Sequence, residues 1–189
     1  MGDTMQSVRF FALALLLAPA LVLGWASAGA RAEGLPIEAF FGKWQGSGIS
    51  QSEVSANFRL TARDLDVTLA PQPPGFNVAW TTVQRQTGSP DDPKVVRKTT
   101  RFEFLPGPRP GLWRELSNED PMAGLSYAWA RIKDNTLTIH SLLVLADGGS
   151  ELQIYQRSLS GSGMTLNFRR LVDGILVRSV KGRLVKVGK

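Results

Sequence analysis

Residues 125–189 read LSYAWARIKDNTLTIHSLLVLADGGSELQIYQRSLSGSGMTLNFRRLVDGILVRSVKGRLVKVGK, and this is the most regular pattern in the sequence. Runs rich in strand-forming residues alternate with four turn signals: Asp134-Asn135, Asp147-Gly148-Gly149, residues 160–163 and Asp173-Gly174. Asp-Gly pairs readily adopt the positive φ angles that tight hairpins require. The segment therefore predicts five successive antiparallel strands, each beside the one before it.

The strand pattern extends toward the N-terminus. Apolar and polar residues alternate in three further runs, residues 58–69, 76–81 and 96–104. Leu60 and Leu65 fall on opposite phases of the first run, which predicts a bulge near residues 63–64. One short helical turn is expected at residues 35–41, where Pro36 occupies a helix-start position.

The predicted fold class is all-β. An up-and-down antiparallel meander of about ten strands has two exposed edges when it is open, and closure into a barrel removes them. We therefore predict a closed barrel with one short N-terminal helical turn. A sandwich of two stacked sheets is the alternative.

The N-terminal segment has the composition of a secretory signal peptide. An apolar run over residues 10–23 follows Arg9, and small residues then lead to an A-x-A cleavage site that ends at Ala32. The run is too short for a membrane anchor, which needs about 20 apolar residues. We expect residues 1–32 to be removed and residues 33–189 to form a single domain in the periplasm or outside the cell.

The composition excludes several kinds of site. The chain contains no cysteine, so it has no disulfide and no thiolate metal ligand. The formal net charge is +6, and basic residues dominate after residue 156, where the one acidic residue is Asp173. This basic C-terminal hairpin predicts either contact with an acidic component of the cell envelope or a solvated outer face that discourages edge pairing. Nucleic acid is not expected as a partner of an exported protein.

A glycine-rich motif, GKWQGSG, occupies residues 42–48 at the start of the first predicted strand. The sequence here resembles the calycin superfamily of β-barrels, which includes lipocalins, fatty-acid-binding proteins and nitrobindin-like haem barrels. Lipocalins carry Gly-x-Trp at this place, and the longer Gly-x-Trp-x-Gly-x-Gly is more similar to the nitrobindin type. The resemblance implies that Trp44 closes one end of the barrel against a basic side chain of the last strands, Arg178 or Arg183. In the alternative interpretation the glycines permit a bend beside a core tryptophan.

His140 is the only histidine, and a haem site would have to use it. Nitrobindin-like barrels hold haem iron through one histidine, but the residues around His140 do not match that motif, and we expect a structural role instead. A single histidine without a Gly-x-Ser-x-Gly motif gives no basis for a catalytic triad. The acidic pairs Asp91-Asp92 and Glu119-Asp120 lie in Pro-containing loops. We therefore expect no cofactor, no metal site and no enzyme activity.

Basic and aromatic residues of the predicted strands are candidates for a ligand site. Fatty-acid-binding proteins, within the resembled superfamily, hold a ligand carboxylate with arginines on late strands, which implies this role for Arg169, Arg170 or Arg178. A two-residue hairpin turn sets Arg169 opposite Arg178, and such a like-charge pair requires a counter-ion or a different register. In the alternative, these arginines are solvated on the outer face. The apolar lining is predicted from aromatic residues with polar neighbours: Phe58, Trp80, Phe102, Phe104 and Phe168.

We therefore predict a periplasmic, lipocalin-like barrel that binds a small, apolar or amphipathic molecule in its interior, with an anionic group if one of these arginines contacts it. The alternative is a non-enzymatic envelope interaction or structural protein that works through its basic C-terminal hairpin. An integral outer-membrane barrel is not expected, because two tyrosines are too few for aromatic girdles.

Overall fold

The computed structural model describes residues 34–56, 59–89, 92–117 and 119–188. Within them the chain forms ten strands and two single 3₁₀ turns, Ile37–Phe40 and Pro121–Ala123. The strands are β1 Gly42–Ser52, β2 Leu60–Gln72, β3 Gly75–Ser89, β4 Asp92–Pro106, β5 Leu112–Glu115, β6 Tyr127–Lys133, β7 Thr136–Val144, β8 Ser150–Ser160, β9 Gly163–Val172 and β10 Ile175–Gly188. The predicted signal peptide, residues 1–32, lies outside the described residues.

The strands join one antiparallel sheet that closes on itself in the order β1-β10-β9-β8-β7-β6-β5-β4-β3-β2. The predicted all-β meander barrel with an N-terminal helical turn is confirmed, and the two-sheet alternative is wrong. Every strand pairs with its neighbours in sequence, and the pairing of β1 with β10 closes the barrel. No helix in the described residues is long and apolar enough to cross a membrane.

The predicted turn residues lie at the hairpin connections. Asp134 and Asp173 adopt positive φ angles of 53° and 48°, and Gly148 and Gly174 adopt 84° and 78°. Glycine adopts these angles without strain, and aspartate tolerates them better than most residues do. The turns therefore end each strand at a position that the sequence determines.

One end of the barrel is filled with side chains. The N-terminal 3₁₀ turn places Phe40 in the interior, and the indole Nε1 of Trp44 donates a hydrogen bond to the Phe40 carbonyl oxygen at 2.9 Å. Phe76 stacks on Phe104 with 5.1 Å between ring centroids and meets Trp113 edge-on at 5.5 Å. All five side chains belong to one apolar cluster, and this end of the barrel is closed.

The basic side chain beside Trp44 is not the one that the resemblance implied. Lys186 Nζ lies 5.3 Å from the centroid of the Trp44 ring. Arg183 is exposed on the outer face, because the next residue of β10, Leu184, takes the buried inward position. Arg178 lies near the other end of the same strand. The cation over the closing tryptophan is therefore Lys186, in place of Arg178 or Arg183.

The glycines of the GKWQGSG motif allow β10 to approach β1 closely. A Cβ on Gly46 would overlap the backbone carbonyl oxygen of Arg183, and a Cβ on Gly48 would lie 2.5 Å from that of Lys181. Both neighbours are backbone atoms, which cannot rotate away as a side chain can. The motif therefore permits the close contact between the two strands that close the barrel.

We expect Gly46→Ala to destabilise the protein strongly. The added methyl group would push β10 away from β1, at a cost of about 2–3 kcal/mol in the free energy of unfolding. Gly163→Ala is the matched control, because its Cβ would be 3.4 Å from the nearest atom, the Leu184 carbonyl oxygen. Urea denaturation followed by tryptophan fluorescence measures both variants. Equal losses of stability would contradict this role of Gly46.

Candidate ligand-binding cavity

The other half of the barrel contains a cavity of about 560 Å³. Val96 and Lys98 of β4 border it and are exposed, so the cavity reaches solvent at this open end. Its apolar walls come from inward positions of several strands: Leu65, Trp80, Phe102, Leu166 and Phe168. Small-molecule sites have volumes of about 300–1,000 Å³, and this cavity lies within that range.

Aromatic rings form a continuous wall of the cavity. The ring centroid of Trp80 lies 4.5 Å from that of Tyr155 and 5.5 Å from that of Phe102, and Tyr155 lies 4.8 Å from Phe168. The Tyr155 hydroxyl donates a hydrogen bond to Gln153 Oε1. Burial raises the pKa of Tyr155, so its phenol stays neutral and supplies no counter-charge.

Arg157 of β8 brings a positive charge into this apolar interior. Its side chain is completely buried, and its guanidinium carbon lies 4.7 Å from the centroid of the Trp80 ring and 5.9 Å from that of Tyr155. None of its three guanidinium nitrogens has a hydrogen-bond partner in the part of the protein that the structure describes. Burial lowers the pKa of Arg157 to about 10, so the group is still protonated at neutral pH.

An unpartnered buried guanidinium is energetically unfavourable. Its effective desolvation penalty is several kcal/mol, of which contact with an aromatic face returns about 2 kcal/mol. The planar group carries five N–H donors, and their geometry matches a carboxylate or a similar oxyanion. Arg157 is therefore a buried cation whose guanidinium donors no described residue satisfies.

A second arginine of the cavity, Arg170, is already neutralised. Its Nη2 lies 2.5 Å from Oε2 of the buried Glu151, whose Oε1 accepts a hydrogen bond from Gln153 Nε2 at 2.5 Å. Burial by itself would raise the pKa of Glu151, but the hydrogen bonds from Arg170 and Gln153 outweigh it and hold the pKa below its usual value. Glu151 is thus committed to Arg170 and does not compensate Arg157.

Arg63 of β2 and Arg178 of β10 also line the cavity, on either side of β1. Arg63 Nη1 donates a hydrogen bond to Gln84 Oε1. Burial and then the charge of Arg178 lower the pKa of Arg63, so the two like charges act on each other. Within the described residues the ion pair at the cavity is Arg170–Glu151, and neither Arg63 nor Arg178 takes part in one.

Five of the residues predicted for the ligand site line the cavity: Trp80, Phe102, Phe168, Arg170 and Arg178. Phe104 does not, because it lies at the closed end and packs on Phe76. Arg169 is exposed on the outer face, since it alternates with Phe168 and Arg170, which point inward. Phe58 lies outside the described residues.

Three residues that line the cavity, Arg63, Tyr155 and Arg157, were not among those predicted for the ligand site. In β8 the inward positions are Glu151, Gln153, Tyr155 and Arg157, and the apolar residues between them are half-buried. The sequence therefore contained a signal for the ligand site, namely a polar face on one strand of a closed barrel. This polar face did not lead to the prediction of an interior site, because polar faces of strands ordinarily point to solvent.

His140 lies on the outer face of the barrel, outside the cavity. Its ring stacks on Trp129 with 4.7 Å between centroids and 10° between planes. Burial, and then the charges of Arg131 and Arg169, lower the pKa of His140, which favours the neutral imidazole. Among the described residues, no group of three or more His, Cys, Asp or Glu side chains is placed to hold a metal ion.

Comparisons with known proteins bear on the fold alone. No protein-family model matches the chain, and no curated protein matches it in sequence. The S-type phycobiliprotein lyase CpeS from Guillardia theta is similar in structure, with a TM-score of 0.53 and 10% identity over 82% of this chain and 94% of that chain. The protein Rv2717c from M. tuberculosis has a TM-score of 0.45 and 15% identity over 82% of this chain and 99% of its own. The first similarity supports the closed antiparallel β-barrel fold.

The prediction that the chain is not an enzyme is wrong, because this type of barrel does not exclude enzyme activity. The similar structure from Guillardia theta is that of a protein named a lyase, so the same type of barrel occurs in a protein named as an enzyme. At 10% identity the similarity transfers no reaction to this chain. The fold and its cavity are therefore compatible with catalysis and give no ground to exclude it.

Glu115, the last residue of β5, is a buried carboxyl group. Its Oε2 has no hydrogen-bond partner among the described residues. Burial raises the pKa of Glu115 to about 6, a hydrogen bond with Ser117 opposes this increase, and the charge of Glu119 adds to it. The folded protein therefore favours the neutral form of this carboxyl.

We expect Glu115→Gln to remove part of the pH dependence of stability. Because the pKa in the folded protein is above the ordinary value of 4.5, the stabilising contribution of the neutral carboxyl is complete below about pH 4.5 and is lost as the pH rises through about 6. The neutral amide avoids this loss, so the variant should exceed the wild type at pH 8 by about 1 kcal/mol, or roughly 2–4 °C in Tm, and match it at acidic pH. Thermal unfolding across this pH range measures the difference, and parallel profiles would argue against it.

Proposed function

We propose that this chain binds a small, largely apolar molecule with an anionic group inside its barrel. The observation that carries the proposal is the state of Arg157, which is fully buried, faces the cavity and has no hydrogen-bond partner among the described residues. A ligand oxyanion would supply that partner. The aromatic wall formed by Trp80, Tyr155 and Phe102 would cover the apolar part of the ligand.

The contacts of Arg157 favour a binding role over a purely structural one. A structural buried arginine is normally paired with a carboxylate and fully hydrogen-bonded. Here Glu151, a buried carboxylate of the same strand, is held by Arg170. Charge-assisted hydrogen bonds to a desolvated oxyanion are strong, so the charge that destabilises the empty barrel increases its affinity for an anion.

The alternative function, contact with an acidic envelope component through the C-terminal hairpin, has less support. Three of the basic residues counted for that surface, Arg157, Arg170 and Arg178, line the interior cavity. Lys181 and Arg183 remain on the outer face with a few others. Fewer charges are therefore presented to an outside partner than the sequence indicated, and we propose the interior site as the functional one.

We also propose that the protein is exported to the periplasm or the medium. The support is the sequence of residues 10–23, which has the apolar core of a signal peptide, and the A-x-A site that ends at Ala32. We expect the intact mass of the exported protein to correspond to residues 33–189. A mass that includes residues 1–32 would contradict cleavage.

Two fluorescent probes that differ in charge test the role of Arg157. 8-Anilinonaphthalene-1-sulfonate is an anion, and N-phenyl-1-naphthylamine is its neutral counterpart without the sulfonate. We expect the wild type to bind the anion at least about tenfold more tightly, and Arg157→Met to weaken this preference, because the buried positive charge of Arg157 is gone while the aromatic wall stays. Fluorescence titration gives the Kd of each probe.

Arg169→Met is the matched control, since it removes an arginine from the exposed outer face and should leave the preference for the anion intact. Arg157→Met should also raise the Tm of the empty protein, because an apolar side chain avoids the desolvation cost of an unpaired charge. An undiminished preference for the anion in Arg157→Met would refute the proposed contact. If the wild type bound neither probe, the proposal as a whole would fail.

A further inference from the structure

Arg63 and Arg178 form a second cationic site in the cavity, separate from Arg157. Both line the cavity, and they flank β1 from its two neighbouring strands. In register, Arg63 lies opposite Gly48 and Arg178 lies opposite Ser52. The two arginines therefore flank β1 from its two sides, four residue positions apart along that strand.

This stretch of β1 carries small and hydroxyl-bearing residues. Ser50 and Ser52 occupy inward positions and are only 3% and 4% exposed. The Oγ of Ser52 has no hydrogen-bond partner among the described residues. Ser52 lies outside the cavity lining, but Ser50 borders the cavity together with Arg63 and Arg178. Two guanidinium groups beside a hydroxyl-bearing residue make a site rich in donors, which is the composition that binds an oxyanion.

The carboxylates at the cavity do not compensate this pair. Glu151 is bound to Arg170. Asp66 borders the cavity but lies three residues after Arg63 on β2, and strand residues three apart point to opposite faces. The charge of Arg178 acts on Arg63, and two like charges that interact without a counter-ion are unfavourable. Arg63 and Arg178 therefore favour an anion that comes from outside the protein.

The second site is separated from Arg157 by apolar surface. One register row of the barrel runs through Arg157, Leu166, Gly182, Gly48 and Arg63. Four strand spacings make this row at most about 19 Å long. Leu166 lies on the row, and Leu65 packs over Gly182, where a Cβ would meet its Cδ1 at 2.6 Å. One cavity thus has an anion site on either side of an apolar wall.

We infer that the ligand carries two anionic groups joined by an apolar body, one bound by Arg157 and the other between Arg63 and Arg178. The inference rests on the proposed function and narrows its ligand class to elongated amphiphiles that are acidic at both ends. The hydrogen bond from Arg63 to Gln84 orients this guanidinium before the ligand arrives. Within the described residues, Arg178 takes part in no ion pair.

Straight-chain carboxylates provide the test. A monocarboxylate and the α,ω-dicarboxylate of equal carbon number differ only at the terminal group, and lengths of about 8–16 carbons bracket the span of the row. Displacement of N-phenyl-1-naphthylamine from the wild type measures both affinities. We expect at least one length at which the dicarboxylate binds about tenfold or more tightly than its monocarboxylate.

The double variant Arg63→Gln/Arg178→Gln should lose this advantage, so that the two acids of each length bind alike. The matched control is Arg169→Gln/Lys181→Gln, which removes two charges from exposed positions of β9 and β10 and should keep the advantage. If the double variant does not fold, Arg178→Gln alone should reduce the advantage. The comparison in the wild type depends on no variant.

The outcomes separate this inference from the proposed function. If monocarboxylates bind the wild type but no dicarboxylate binds more tightly, the second site is refuted while the proposed function stands. If neither class binds and the neutral probe does not bind either, the proposed function fails and the inference fails with it. A dicarboxylate advantage that persists in the double variant would refute the assignment to Arg63 and Arg178.

Discussion

The guanidinium of Arg157 packs on the face of Trp80. This cation–π contact partly compensates the cost of removing the charge of Arg157 from water. The closed sheet, and the end of the barrel that is filled with side chains, complete the burial of Arg157. The one carboxylate on the same face of β8, Glu151, is bound by Arg170, so the cavity keeps a net positive charge within the described residues. Under the proposed function the interior is preorganised for an acidic ligand, because its hydrogen-bond donors are already in place and need no rearrangement to contact one. A neutral guest of equal size would leave the same charge uncompensated.

The sequence predicted the architecture because tight turns require particular residue types and because strands alternate. The same reasoning did not predict the interior, since it places charged side chains outside. Leu60 and Leu65 fall on opposite phases because they lie on opposite faces of β2. Leu60 is 67% exposed, whereas Leu65 and Arg63 share the face that lines the cavity. β2 pairs with β1 in one continuous register, and the expected bulge near residues 63–64 is absent from the described strands. At the cavity, charged side chains point inward, which is the reverse of the usual pattern. The alternation of apolar and polar residues does not by itself show on which strands this occurs.

The register of the last hairpin was the other feature that the sequence left undetermined. A two-residue turn predicted Arg169 opposite Arg178. Such a pair of like charges required either a counter-ion or a different register. The structure contains a shift between Leu176 and Arg178, which sets Arg178 opposite Arg170, and Glu151 neutralises Arg170. Because side chains alternate along a strand, a slip of one residue exchanges the inner and outer faces. The shift therefore decides which arginine enters the cavity and which stays in solvent.

The pairing of β1 with β10 joins the two ends of the described chain, with Lys43 opposite Gly188. Every other pair of strands is connected by the segment between them. A circularly permuted chain, with a linker across this joint and new termini at the exposed turn around Gly148, would contain the same ladder of strands. The path of the polypeptide and the continuity of the sheet are therefore independent properties of this barrel.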